Sequence, residues 1–244
     1  MNSVVLAAGR GRRLHPFTLK HPKCLLSFGH TTLLRRHLAM LAAAKIARVA
    51  VIVGHLANQV EADIAQVQYN STRVDLIYNP EYEKGNALSL LQAEAVLKDG
   101  PAIVLDADIL LHPMLLTRLL EAPMSNCLAV DERLVDTGEE VKVMVNSDGQ
   151  VSELGKHVTD IEHVAGESVG IYKFSAQTNK ILVSALRQAV SINSEIEYEP
   201  VINGILGRIE MGCVAVGDLP WIEIDFPSDV DRAQRKVWPS LADW

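Results

Sequence analysis

Three short, apolar and largely β-branched runs set most of what this chain can fold into: Ser3–Ala7 (SVVLA), Val49–Val53 (VAVIV) and Ala102–Leu105 (AIVL). Each has the length of a strand and leaves almost no polar face. Between them lie expected helices over Thr32 to Ala44, Leu56 to Val67 and Asn86 to Leu97, with Thr32 and Asn86 as N-caps, and a further strand over Val74–Tyr78. Strands of this kind alternating with helices form a parallel sheet covered on both faces. The pattern becomes mixed after about residue 126. Val141–Val145 and Val151–Leu154 flank the turn Asn146-Ser147-Asp148-Gly149, which predicts a hairpin. Ser168–Phe174 reads as a strand, Ala176 to Val190 and Glu199 to Leu206 as helices. Val214–Val216 and Trp221–Ile224 read as short strands before a last helix from Ser228. The expected fold class is α/β: a doubly wound, mostly parallel central sheet with helices on both faces and a small mixed β-hairpin extension in the second half.

With 244 residues, 48% hydrophobic and 22% charged, the chain has the balance of a globular protein and not of a disordered one. Residues 1–244 are read as one domain. The longest apolar stretch, Leu38 to Val53, is interrupted by Lys45 and Arg48 and is too short for a membrane span, so no membrane insertion is expected. No charged, apolar and small-residue series opens the chain, so no signal peptide is expected either. Cys24, Cys127 and Cys213 are widely spaced, which argues against a disulfide framework or zinc knuckle and suits a reducing cytoplasm.

The net charge of -7 conceals an asymmetry. Nine of the 23 Lys and Arg precede the first acid, Glu61, so residues 1–60 carry +9; the remainder, with 14 cations against 30 acids, carries -16. An overall pI of about 5.6 speaks against nucleic acid as a partner. A local cationic patch suits a small polyanion such as a nucleoside triphosphate. Arg35, Arg36, Lys45 and Arg48 are read as a solvated basic face; Arg10 to Lys23 are not.

Residues 6–14 read Leu-Ala-Ala-Gly-Arg-Gly-Arg-Arg-Leu, followed by Pro16, Thr18, Pro22 and Lys23. Small residues and Gly-x-Gly at the carboxyl end of a parallel strand let backbone N–H groups approach an anion where open α/β sheets bind ligands. A dinucleotide fingerprint would need a third glycine where Leu14 stands, and a Walker loop would need Gly-Lys followed by Ser or Thr. What remains is a loop with several cations and no carboxylates. Farther on, Asp106-Ala107-Asp108 follows a strand directly. In an extended chain its two carboxylates share one side. They suit a hard divalent cation or, alternatively, one caps the next helix while the other is solvated. Glu223 and Asp225 likewise share one face.

The run LAAGRGRRL, then HPFT, then PKCLL resembles the signature of the nucleotidyltransferases that join nucleoside triphosphates to phosphorylated sugars and alcohols. Thr32, an acceptable N-cap, stands where such proteins often have Pro. The resemblance implies a Rossmann-like fold with a nucleotide-binding part over about 1–125 and an acceptor and metal part over about 126–236. It implies that Leu6, Ala7, Ala8, Gly9, Gly11 and Arg12 hold base and phosphates, and that Arg13 and Lys23 contact the triphosphate. It also implies that Asp108 and Asp225 hold one Mg²⁺, with Asp106 as a water-mediated partner on the nucleotide side; Arg13, Lys23 and Asp108 are the catalytic set.

Asn79-Pro80-Glu81-Tyr82 and Gly85-Asn86-Ala87-Leu88-Ser89-Leu90 look like the phosphocholine, inositol-phosphate and aminoethylphosphonate cytidylyltransferase branch. Asn86 and Ser89 are then candidates for base or ribose contacts, with helix capping and a first-turn hydroxyl as their alternatives. Glu167-Ser168-Val169-Gly170-Ile171 and Tyr198-Glu199-Pro200 look like acceptor-side elements. Glu167, Tyr198, Glu199 and Trp221 could supply the carboxylates and aromatic face that a cationic head group needs; an ordinary half-buried aromatic is the alternative for Tyr198. The implied reaction is attack of a phosphate or phosphonate oxygen on the α-phosphorus of CTP, expelling pyrophosphate. The rival readings are a sugar-1-phosphate nucleotidyltransferase using UTP, dTTP or GTP, a catalytically silent nucleotide-binding subunit, and a glycosyltransferase, which would lack the LAAGxGxR loop. The acceptor's identity and the oligomeric state are left open.

Overall fold

The computed structural model describes residues 1–69, 72–159 and 163–241. In chain order the strands are β1 (Asn2–Ala7), β2 (Ser27–Phe28), β3 (Thr31–Thr32), β4 (Arg48–Val53), β5 (Arg73–Tyr78), β6 (Ala102–Asp106), β7 (Ile109–Leu111), β8 (Cys127–Asp131), β9 (Lys142–Val145), β10 (Val151–Gly155), β11 (Val164–Phe174), β12 (Gly212–Ala215) and β13 (Trp221–Glu223). The helices are α1 (Leu33–Ala43), α2 (Ala57–Ile64), α3 (Asn86–Gln92), α4 (Glu94–Lys98), α5 (Met114–Glu121), α6 (Ala176–Ile192), α7 (Tyr198–Asn203) and α8 (Pro227–Arg232).

The main sheet runs β10-β9-β11-β6-β1-β4-β5, with β8 and β12 branching from β11. Its centre, β6-β1-β4-β5, is parallel. The second half adds antiparallel strands through β11, which pairs with β6, β8 and β9. Alternation explains why the central strands lack a polar face. Val4, Ala50, Ile52, Ala102 and Val104 face one core with Leu90, Leu97, Leu182 and Tyr198, whereas Val5, Val49, Val51, Ile103 and Leu105 face another with Leu34, Leu38, Leu41 and Leu116. Two buried layers thus clamp one sheet.

The structure corrects several expectations. The helix expected from Asn86 to Leu97 breaks at Ala93, and its N-cap is Gly85, with Asn86 the first helical residue. Gly85 is fixed by a close approach: a Cβ there would lie 2.0 Å from the carbonyl oxygen of Ile196. Substituting Gly85 by Ala should therefore cost about 1–3 kcal/mol, as overpacking does, measured as a lower urea midpoint at unchanged m-value. The buried strand β8 lies outside every predicted element, although it joins β11 to β12. Arg35 and Arg48 are not a solvated face, since they pair with Asp63 and Asp75, while Arg36 stacks over Trp238. The helix predicted over Glu199 to Leu206 is the shorter α7 followed by a tight turn at Leu206–Arg208.

Candidate active site

A cavity of about 770 Å³ opens at the carboxyl ends of β1 and β6. Residues from the glycine loop, α3, β11 and the segments after β6, β10 and β13 line it. The volume is that of a small-molecule site. Leu6, Ala7, Ala8, Gly9, Gly11, Arg12, Arg13, Lys23, Asn86, Ser89, Asp106, Asp108, Glu167, Glu199 and Asp225 all line it. Residues separated by most of the chain's length therefore share one space.

The glycine loop leaves β1 and tightens into a helical turn at Arg12–Leu14. Gly11 has φ +58°, a conformation that disfavours a side chain. Thr18 fixes the turn by donating its hydroxyl to the Gly11 carbonyl at 2.6 Å. A Cβ on Gly9 would meet nothing within 4 Å, so its backbone faces open cavity and an anion can approach it.

Lys23 is the centre of the charge arrangement. Its Nζ lies 2.8 Å from Asp108 Oδ2 and 2.6 Å from Asp225 Oδ1, and its side chain is only 11% exposed. The cationic loop is therefore paired by carboxylates brought from elsewhere, contrary to the local sequence. Burial pulls the Lys23 ammonium pKa down, but the two carboxylates outweigh it and hold it above the ordinary lysine value. Arg13 donates to Asp225 Oδ2 at 2.6 Å and to Glu139 Oε2 at 3.1 Å, with its guanidinium over the Phe226 ring.

Asp108 and Asp225 meet because β7 and β13 pair antiparallel, Ile109 opposite Glu223, and the Ile224 N–H donates to the Asp108 carbonyl. Asp229 then braces the turn by accepting from the backbone N–H groups of Asp225 and Phe226. One oxygen from each of Asp108, Glu223 and Asp225 lies within 4.8 Å of the others. Asp108 Oδ1 is buried and, among the described residues, has no hydrogen-bond partner. Burial, then Asp108 and Asp225, push the Glu223 carboxyl well above the usual carboxylate range. Glu223 is the acid that sequence reasoning paired with Asp225 by spacing but left out of the metal set.

Asp106 and Asp108 both line the cavity, but they do not follow one another along an extended strand. β6 ends at Asp106, and the chain turns through Ala107 and Asp108, so the extended geometry that would align the carboxylates is lost. Asp106 Oδ2 instead accepts from the Tyr198 hydroxyl at 2.6 Å. Burial and then the Asp108 charge raise its pKa well above normal. Asn86 uses its side-chain oxygen to accept from the Tyr198 backbone N–H at 2.6 Å, tying α3 to α7. Ser89 Oγ accepts from Asn79. Both still border the cavity.

Two acceptor-side expectations need correction. Tyr198 is fully buried, edge-on to Tyr172, and Trp221 donates its indole N–H to Asp131; neither lines the cavity. No head group reaches the Tyr198 ring, which is fully buried in the core and packed edge-on against Tyr172. Glu167 and Glu199 do face the cavity. Burial pushes Glu167 up to about 7, helped by Glu140 and Asp131, and pushes Glu199 up to about 7, helped by Glu197. The cavity also takes in Tyr82, the last residue of the Asn79-Pro80-Glu81-Tyr82 run, and Glu83, Glu139, Lys156 and His157, for which no local motif gave a signal.

A profile of the MobA-like NTP transferase domain matches residues 3–179. The chain belongs to that family. It is a nucleotidyltransferase, and curated relatives match it almost end to end. It is 24% identical to a CTP:phosphoglutamine cytidylyltransferase of Campylobacter jejuni, over 95% of this chain and 98% of the relative. It is 30% identical to a choline-phosphate cytidylyltransferase of Haemophilus influenzae, over 98% and 99% respectively. Among solved structures, the inositol-1-phosphate CTP transferase from T. maritima has the same fold, with a TM-score of 0.81 at 22% identity, covering 99% of this chain and 94% of that one. Among the described residues no helix is long and apolar enough to cross a membrane.

Proposed function

We propose that this nucleotidyltransferase is a Mg²⁺-dependent cytidylyltransferase that joins CTP to a small phosphorylated alcohol or phosphonate bearing a cationic group. The observation that carries the reading is the convergence, in one cavity, of the open glycine backbone, Arg13 and Lys23, and the carboxylates of Asp108, Glu223 and Asp225. The names of its relatives support CTP as the nucleotide. Three free thiols support a reducing cytoplasm as its location.

The metal fits the residues present. Asp108, Glu223 and Asp225 offer hard oxygen donors, and the unpartnered Asp108 Oδ1 is a buried acceptor that calls for a cation. These three would hold Mg²⁺, which supplies neutralisation of charge on phosphoryl oxygens. The acceptor oxygen is already ionised near neutral pH, so the chain needs no general base. An oxygen of the acceptor attacks the α-phosphorus; the new P–O bond forms as the bond to the bridging oxygen breaks, and pyrophosphate leaves with the electron pair. The Gly9 and Gly11 backbone accommodates the phosphates. Lys23 and Arg13 place fixed positive charge beside the triphosphate, where charge develops on the leaving group.

Pyrophosphate release from CTP, UTP, dTTP and GTP, each with Mg²⁺ and a panel of phosphorylated acceptors, tests this reading. CTP should exceed the other three in kcat/KM, and phosphocholine or an aminoalkyl phosphate or phosphonate should exceed inositol phosphate and sugar 1-phosphates. A preference for UTP, dTTP or GTP with a sugar 1-phosphate would replace it with the sugar-nucleotide reading.

A further inference from the structure

The backbone around Asp108 is held from three directions, one of them helix α1, none of whose residues lines the cavity. Ala107 donates its N–H to the Leu6 carbonyl of β1 at 3.1 Å. The Asp108 carbonyl accepts from the Ile224 N–H at 3.0 Å. Ile109 turns its carbonyl the other way. β7 and β13 form a two-stranded sheet in which Asp108 bonds across to Ile224 and His112 to Pro220. Alternation therefore directs the Ile109 carbonyl to the edge of β7 that no strand covers. Ile109 is 1% exposed, and a backbone carbonyl buried there without a donor would be costly. His37 of α1 supplies the donor, its Nε2 lying 2.7 Å from the Ile109 oxygen.

The surroundings of His37 leave it little else to do. It is 2% exposed, and among the described residues its Nδ1 has no partner, so the bond to Ile109 is its one hydrogen bond. A carbonyl only accepts, so Nε2 carries the proton. Burial, the largest influence, pushes the imidazole pKa down to about 4, and the ring is neutral at neutral pH. An apolar side chain would fill the same place in α1 without enclosing an unpaired nitrogen. What it would lack is the hydrogen bond to the residue next to Asp108.

We propose that His37 is a positioning residue for the metal site. By holding the Ile109 carbonyl it fixes the first residue of β7, and with it the backbone from which Asp108 reaches the oxygens of Glu223 and Asp225. The proposal rests on the Mg²⁺ site of the reading above and goes beyond it, since His37 itself does not line the cavity. Without the imidazole the Ile109 carbonyl must find another donor, and its displacement reaches Asp108 through one peptide unit. Metal ligands tolerate displacements of only about 0.2 Å, so a small shift of β7 lowers affinity.

His37→Leu removes the donor, and His37→Gln restores one that can reach a carbonyl. Mn²⁺ binding to nucleotide-free protein, followed by electron paramagnetic resonance and scaled to the folded fraction, reads the site apart from turnover. His37→Leu should weaken Mn²⁺ binding by about 10–100-fold, the usual scale for losing a group that orients a metal ligand, while His37→Gln stays within about threefold of wild type. The Mg²⁺ concentration for half-maximal pyrophosphate release should rise in parallel. The KM for CTP at saturating Mg²⁺ should change by less than about threefold, because the glycine loop is untouched. Wild type supplies a check that needs no variant to fold. Its His37 nitrogen resonances should report a neutral ring with the proton on Nε2, and they should shift when Mg²⁺ binds. A His37→Leu protein that is less stable in urea yet binds Mn²⁺ like wild type overturns the proposal. So does equal loss in both variants, a proton on Nδ1, or resonances indifferent to Mg²⁺. Wild type that binds no Mn²⁺ would overturn the metal site itself and the reading built on it.

Discussion

Asp108→Asn and Asp225→Asn should each lower metal-dependent kcat by at least about three orders of magnitude, and the double variant should be scarcely worse than either single one. The two residues sit beside the paired strands β7 and β13, Asp108 just before the one and Asp225 just after the other, and converge on one set of oxygens with Glu223. Groups that act on one ion fail as a unit, so their losses do not add. Glu223→Gln should fall in the same non-additive set. Pyrophosphate-release kinetics of the singles and the double supply the cycle, and Mn²⁺ binding followed by electron paramagnetic resonance gives a readout apart from turnover. Independent, additive losses would mean that the carboxylates do not share an ion.

Lys23→Ala should lower kcat/KM by roughly two to four orders of magnitude, the scale of a lost preorganised charge contact. The structure adds a stability consequence that the sequence does not reveal. Lys23 neutralises Asp108 and Asp225, whose side chains are 27% and 20% exposed. Removing it leaves three crowded carboxylates without their internal cation, apart from the Arg13 contact to Asp225. With partial solvent screening, Lys23→Met should destabilise the protein by about 1–3 kcal/mol. Millimolar Mg²⁺ should restore more stability to this variant than to wild type, because the ion takes over the missing charge. Urea unfolding with and without Mg²⁺ reads both terms. A variant as stable as wild type and indifferent to Mg²⁺ would show that Lys23 is not the counter-ion of this cluster.

These expectations separate what is written locally in the chain from what is not. Apolar runs with a strand's length and no polar face already specify β1, β4 and β6 and the layers that bury them, because covering both faces is the only way to remove such strands from water. The glycine loop with Arg13 and Lys23 is equally local, since its conformation and its charge reside in contiguous residues. The acidic half of the site depends on register and packing. Asp108, Glu223 and Asp225 assemble only when β7 pairs with β13. Asp106 is held by the Tyr198 hydroxyl, a partner 92 residues away that only the packing of α7 brings to the end of β6. Tyr198 itself looks, in sequence, like an aromatic free to face a ligand, and packing against Tyr172 removes it from the cavity. A strand's period and a loop's charge are properties of neighbouring residues. The partner of a buried charge is a property of which chain segments meet, and that is fixed only when the sheet and its covering helices are complete.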